Sequence, residues 1–274
     1  MVRMSTSAPL APRDASHARP TRRLTWLWVL VVGVVSYLLV LRTLVATQNL
    51  NFVPSLILLG SIVVPASVLV FAASSGRQVL VPPSLIALVA ILGGVIGTVA
   101  AGTLEYDALH RLGALPMIMV GLIEESAKLI VPVLVLVFSR HRSPGAGVII
   151  GVASGMGFAT LETMGYGFSA LLSSGNLAAV EQTLLLRALL SPAGHVAWTG
   201  LTTAALWSVV TAPRRGRAVA RLVGVFGAAV LLHAAWDGLD TVWVHLVVGG
   251  VSFLALLLTI RRAHRGAGRP APLR

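Results

Sequence analysis

Glu124, Glu125 and Lys128 lie in the stretch Gly121-Leu-Ile-Glu-Glu-Ser-Ala-Lys-Leu-Ile130, inside an apolar run from Leu115 to Phe138. That run is long enough to cross a bilayer. A charge at the bilayer centre costs about 2.5–3.5 kcal/mol by insertion scales, so three of them in one run need a reason. On a helix, Glu124 and Lys128 share a face and Glu125 points about 100° away. One carboxylate is therefore expected to pair with the ammonium while its neighbour faces elsewhere. Lys128 is the only lysine; the other 20 basic residues are arginine. The cluster reads either as an ion pair tying two helices together or as a reaction centre or ion path. Intramembrane ionisable groups favour the second reading.

Other ionisable residues fall at similar depth in separate apolar runs: Glu162, His195 and His233, with Asp237 and His245 nearer the outer interface. At 1.5 Å per residue, Glu124, Glu162 and His195 come to roughly 14–16 Å from the Arg-poor face, and His233 to about 9 Å. Structural polar residues need not agree in depth, so this agreement predicts one site drawn from four helices. Two kinds of chemistry suit such a set. A desolvated glutamate can act as general base toward water. Imidazoles and a carboxylate can also hold a divalent metal with an open position for water. Asp237 lies four residues after His233, at the spacing with which a carboxylate orients a ring. Pro192 precedes His195 by three residues and is placed to aim it.

The elements that must position these groups follow from composition. Of 274 residues, 56% are hydrophobic and 11% charged, against about 25% charged in a soluble domain. The chain reads as an all-α, polytopic membrane protein. Eight spans are expected near Leu24–Leu41, Val53–Ala73, Ser84–Ala101, Leu115–Phe138, Ala146–Leu172, Leu184–Val210, Val219–Leu239 and Val242–Ile260. They make a transmembrane domain over 24–260, flanked by basic tails at 1–23 and 261–274. Eight spans put 17 arginines on one side and three (Arg42, Arg111, Arg187) on the other. Glu105, Asp107, Glu181 and Asp240 are expected in loops on the Arg-poor side. The positive-inside rule then makes both tails cytoplasmic, with the protein in the cell membrane. The net charge of +12 is thus a topology signal with affinity for anionic lipid, not a nucleic-acid footprint. Gly147, Gly151 and Gly155 recur every fourth residue, the spacing for close helix packing. Pro132 and Pro192 each remove a helix hydrogen bond, which neighbours must satisfy.

Exclusions narrow the chemistry. There is no cysteine, which rules out thiolate catalysis and cysteine-ligated zinc. No H-E-x-x-H occurs. Ser154, in Val-Ala-Ser-Gly, lacks the glycine two residues before a rhomboid-type serine, and no Gly-x-Gly-Asp is present. A proton- or cation-coupled transporter is the rival class, but internal repeats of the transporter kind are not evident.

Four short motifs in order resemble the PrsW family of intramembrane proteases, relatives of the prenyl-CAAX protease and bacteriocin-processing superfamily. They are Glu124-Glu125-Ser-Ala-Lys128, Phe158-Ala-Thr-Leu-Glu162, Ser191-Pro-Ala-Gly-His195 and His233-Ala-Ala-Trp-Asp237, within a motif core of about 115–240. Thr163 stands where an asparagine often follows the glutamate. The resemblance implies a multi-pass protease acting on membrane-anchored proteins; the family prototype cleaves an anti-sigma factor. It implies catalytic roles for Glu124, Glu125, Lys128, Glu162, His195 and His233, supported by Phe158 and Asp237. Glu124 or Glu125 would deprotonate water, with Lys128 holding the neighbouring carboxylate ionised. His195 and His233 would ligate a metal such as zinc, with Glu162, or stabilise the oxyanion. The superfamily also contains non-catalytic scaffolds, the remaining alternative.

Overall fold

The computed structural model describes residues 24–76, 80–143, 145–239 and 241–266. The expected tails at 1–23 and 267–274, together with Arg77 and Asp240, lie outside them. The described chain is all helix: α1 (Thr25–Thr47), α2 (Val53–Ser74), α3 (Pro83–Leu112), α4 (Met117–Lys128), α5 (Ile130–Phe138), α6 (Ala146–Ser174), α7 (Leu177–Leu190), α8 (His195–Thr211), α9 (Arg215–Gly238) and α10 (Val242–Gly266). Six of them, α1, α2, α3, α6, α9 and α10, are long and apolar enough to cross a membrane. Leucines and valines stay exposed along α1, α3, α9 and α10, as they must where the solvent is lipid and not water. This is a multi-pass membrane protein.

The core is built around α6, which is buried along almost its whole first half. Small residues make that possible. The expected stripe of Gly147, Gly151 and Gly155 lies against α8: a Cβ on Gly155 would sit 2.6 Å from the His195 carbonyl oxygen, and one on Gly147 2.7 Å from Trp207. On the opposite side, Gly93, Gly94 and Gly97 of α3 receive Ser154, Gly157 and Phe158 of α6. Backbones at this separation gain dispersion contacts, which drive helix association where lipid competes on equal terms for apolar side chains. A methyl group on Gly157 would meet the carbonyl oxygen of Ala90, a backbone atom that cannot rotate away. Gly157→Ala is therefore expected to destabilise the protein by about 1–3 kcal/mol. The check is thermal unfolding in detergent, with Gly165→Ala, whose Cβ meets nothing within 4 Å, as the unchanged control.

The helix ends differ from the expected spans in informative ways. The fourth expected span is two helices, α4 and α5, broken at Leu129; the sixth is α7, a 3₁₀ turn at Ser191–Ala193, and α8. A proline sits at each break, Pro132 and Pro192. Helix α3 runs on to Leu112, so Glu105 and Asp107 are helical and not in a loop. Glu181 likewise lies on α7. The start of the expected C-terminal tail, 261–266, continues α10.

Candidate active site

Local backbone chemistry sets Lys128 in place. Pro132 has no N–H to give to the carbonyl four residues earlier, that of Lys128. That carbonyl instead accepts a hydrogen bond from Ser154 Oγ on α6 at 2.8 Å. The proline break thus becomes a tie between α4 and the central helix, at the last residue of α4. The Lys128 side chain is wholly buried. Its Nζ donates to Glu125 Oε1 and to His195 Nδ1, each at 2.7 Å, and lies 3.1 Å from Glu124 Oε2. The ring of Phe158 covers it, with the centroid 4.4 Å away.

His195 is the first residue of α8, directly after the 3₁₀ turn holding Pro192. An ammonium has only donors, so His195 Nδ1 must accept and the ring proton sits on Nε2. That nitrogen lies 2.9 Å from Glu162 Oε2. The same carboxylate oxygen lies 2.6 Å from Nη2 of Arg187 on α7. From α9, His233 Nδ1 lies 2.9 Å from Glu125 Oε1, while Nε2 lies 3.0 Å from Asp237 Oδ2 and 3.6 Å from Glu124 Oε2. Trp198, also buried, stacks on His233 (centroids 5.0 Å, 28°) and turns its edge to His195 (5.6 Å, 89°). Its Nε1 donates to Ser252 Oγ on α10 at 2.9 Å, which fixes the indole between the two imidazoles.

The structure brings Glu124, Glu125, Lys128, Glu162, His195 and His233 into one cluster, with Phe158 and Asp237 touching it. Two expectations change in detail. Glu125 does not face away: the long lysine side chain reaches both the i−3 and i−4 carboxylates, as helix spacing allows. The grouping suited to a metal is Glu124, His195 and His233, whose ligand atoms all lie within 4.8 Å of one another; the expected set had Glu162 in place of Glu124. Glu162 is turned instead to Arg187 and His195 Nε2. His245 stays apart, with its Nδ1 on the Thr241 carbonyl. Sequence reasoning passed over Ser154, Trp198 and Arg187. A lone arginine in the Leu-rich turn Leu184–Leu190 is costly in lipid, and that signal was available for Arg187.

Burial gives these contacts weight. Among the described residues, the carboxylates of Glu124 and Glu125 meet the fixed cation Lys128 and that of Glu162 meets Arg187, while Asp237 meets His233. With both imidazoles neutral, this assembly carries excess negative charge in a region poor in water. Glu124 Oε2 and His233 Nε2, like Glu162 Oε2, are buried and make no hydrogen bond of good geometry. The first two face each other at 3.6 Å. Two unsatisfied donors of electron pairs at the centre of an anionic cluster suit a divalent cation, and carboxylate with imidazole is an ordinary ligand set for zinc. Lys128, on His195 Nδ1, would compete for the third ligand.

A narrow cleft leads to this cluster, lined by Thr163, Arg187, His195, Trp198, Trp236 and Asp237 among others. The family model described as PrsW family intramembrane metalloprotease matches residues 64–260. That range takes in every helix contributing to the cluster. No curated protein and no solved structure matches the chain.

Proposed function

The chain belongs to the PrsW family of intramembrane metalloproteases, and from that premise we propose that its buried cluster hydrolyses peptide bonds of membrane-anchored proteins, with Glu124 activating the water. The observation that carries the reading is Glu124 Oε2, a buried carboxylate oxygen without a hydrogen bond, facing both imidazoles at 3.6 and 3.9 Å. Glu125 is committed elsewhere, to Lys128 and His233. A water lying between Glu124 and the imidazoles loses a proton to Glu124 and adds its oxygen to the scissile carbonyl carbon. Glu124 then passes that proton to the amide nitrogen as the C–N bond breaks, and the two chain ends separate. Lys128 Nζ, 3.1 Å from Glu124 Oε2, is the counter-charge of that carboxylate. Glu125 fixes the His233 ring at Nδ1 and Glu162 stands beside His195 Nε2, so neither imidazole must reorganise during the reaction.

Glu124, His195 and His233 are the residues that would hold a metal such as zinc, Glu124 through one carboxylate oxygen, with the other left to take the proton. A bound ion would polarise the carbonyl and make a coordinated water more acidic. Purified protein is expected to contain about one equivalent of a divalent ion, lost from His233→Ala and His195→Ala. Elemental analysis reads this without any activity. A strong chelator is expected to stop cleavage and the returning ion to restart it. Full cleavage by metal-free protein would remove the metal and leave Glu124 as sole activator.

The substrate class is a membrane-tethered protein, an anti-sigma factor among them, because the cluster lies within helices that sit in lipid. The 17-to-3 arginine division over the eight expected spans supports a cell-membrane protein with both termini in the cytoplasm. Reporter fusions at the two ends are expected to be active only as cytoplasmic reporters; an exported reporter at either end would invert the arrangement.

A further inference from the structure

Arg187 belongs to none of the four motifs, yet it is held at three points. Nη2 lies 2.6 Å from Glu162 Oε2, Nε donates to Thr163 Oγ1 at 3.4 Å, and the guanidinium carbon lies 3.9 Å from the Tyr166 ring centroid. Glu162, Thr163 and Tyr166 are one surface of α6, so Arg187 docks α7 on the central helix through a flat, forked group that a lysine cannot imitate. The threonine that replaces the more usual asparagine is one of its anchors.

Its importance lies one contact further on. Glu162 Oε2 lies 2.9 Å from His195 Nε2, the nitrogen left with the ring proton while Lys128 donates to Nδ1. With the proton on Nε2, the lone pair of Nδ1 is directed to the side of Lys128 and Glu124, where the chemistry is proposed. A carboxylate turned toward a neutral imidazole in lipid needs a counter-charge and a second anchor, and Arg187 supplies both. Without it, Glu162 is free to swing away from Nε2, and the His195 ring is held from the Lys128 side alone.

We infer that Arg187 is a positioning residue that acts through Glu162 to hold the His195 ring with Nδ1 facing the reacting centre. The inference rests on the hydrolytic reading for its effect on rate, but not for its effect on the ring. The test uses the full chain in lipid nanodiscs, with Arg187→Gln, Arg187→Lys, Glu162→Gln and the double variant Glu162→Gln/Arg187→Gln. Nuclear magnetic resonance of ¹⁵N-labelled histidine is expected to show His195 with its proton on Nε2 in the parent protein, and the same nitrogen with a displaced resonance in Arg187→Gln. Cleavage of one membrane-anchored substrate is expected to lose about 10–100-fold in kcat in Arg187→Gln, with KM within about twofold. Arg187→Lys should recover part of the loss. The double variant should be no slower than Glu162→Gln alone, since Arg187 has nothing left to act through.

Multiplying losses in the double variant, or a raised KM at unchanged kcat, would overturn the inference and make Arg187 a direct substrate contact. An unaltered His195 Nε2 resonance in Arg187→Gln would overturn it as well. If Arg187→Gln does not fold, Arg187→Lys and the double variant, which leaves neither charge unpaired, decide the question by the same readouts. Absence of any cleavage by the parent protein would defeat the hydrolytic reading, and the ¹⁵N measurement would still decide the role of Arg187.

Discussion

Lys128→Met is expected to be the most destabilising single substitution in the protein. The ammonium is wholly buried and meets Glu125, Glu124 and His195 at 2.7, 3.1 and 2.7 Å. Methionine fills similar space but leaves two carboxylates in a low-dielectric interior without their counter-charge. Removing one partner from a buried pair costs about 3–5 kcal/mol, because the survivor stays buried and unpaired. Thermal unfolding in detergent should show a large fall, or the protein should fail to accumulate. The double variant Lys128→Met/Glu125→Gln should regain part of the stability, since one of the two stranded carboxylates is then neutral. It should not regain cleavage. A Lys128→Met protein as stable as the parent would mean that the carboxylates are not ionised in the folded state.

Glu124→Gln is expected to have the largest effect on activity at the smallest cost in structure. Its Oε2 makes no good hydrogen bond, and its ion pair with Lys128 is the longer of the two. Lys128 keeps Glu125 after the change, so no buried charge is stranded. An amide of the same shape cannot take a proton from water, and loss of a general base costs about 10²–10⁴-fold in rate. Glu125→Gln should behave differently. It breaks the shorter ion pair and weakens the support of His233 Nδ1, so stability and activity should fall together. Comparing the two variants separates the carboxylate that reacts from the one that holds the site. Wild-type cleavage by Glu124→Gln would assign the proton transfer elsewhere.

Much of this site is legible in the sequence because lipid makes polar residues conspicuous. Glu124, Glu125 and Lys128 stand out in an apolar run, and the four-residue spacing of His233 and Asp237 foretells their 3.0 Å contact. Side-chain reach was less legible. Helical angles alone turn Glu125 away from Lys128, yet a flexible lysine meets both carboxylates. The choice of Glu124 over Glu162 beside the imidazoles depends on how α6 and α9 flank α4, which no local spacing encodes. Arg187 counted toward topology as one of three outer arginines, and only tertiary packing reveals its partner on α6. The prolines announced breaks, but not that Ser154 would take the freed carbonyl of Lys128. The glycine stripe on α6 was readable as a packing surface, whereas its partner α8 was not. The ends of α3 and α10 were misjudged because polar residues can extend a helix past the lipid as readily as end it.

The central claim is that this buried cluster adds water across a peptide bond. Parent protein and Glu124→Gln, each in nanodiscs, would be incubated in H₂¹⁸O with a library of membrane-anchored, single-span reporter proteins, and the products read by mass spectrometry. The account predicts new peptide ends from the parent protein, with one ¹⁸O atom in the newly formed carboxylate, and none from Glu124→Gln. Cleavage by the variant at the parent rate, or no cleavage by a parent protein that is folded and metal-loaded, would contradict it.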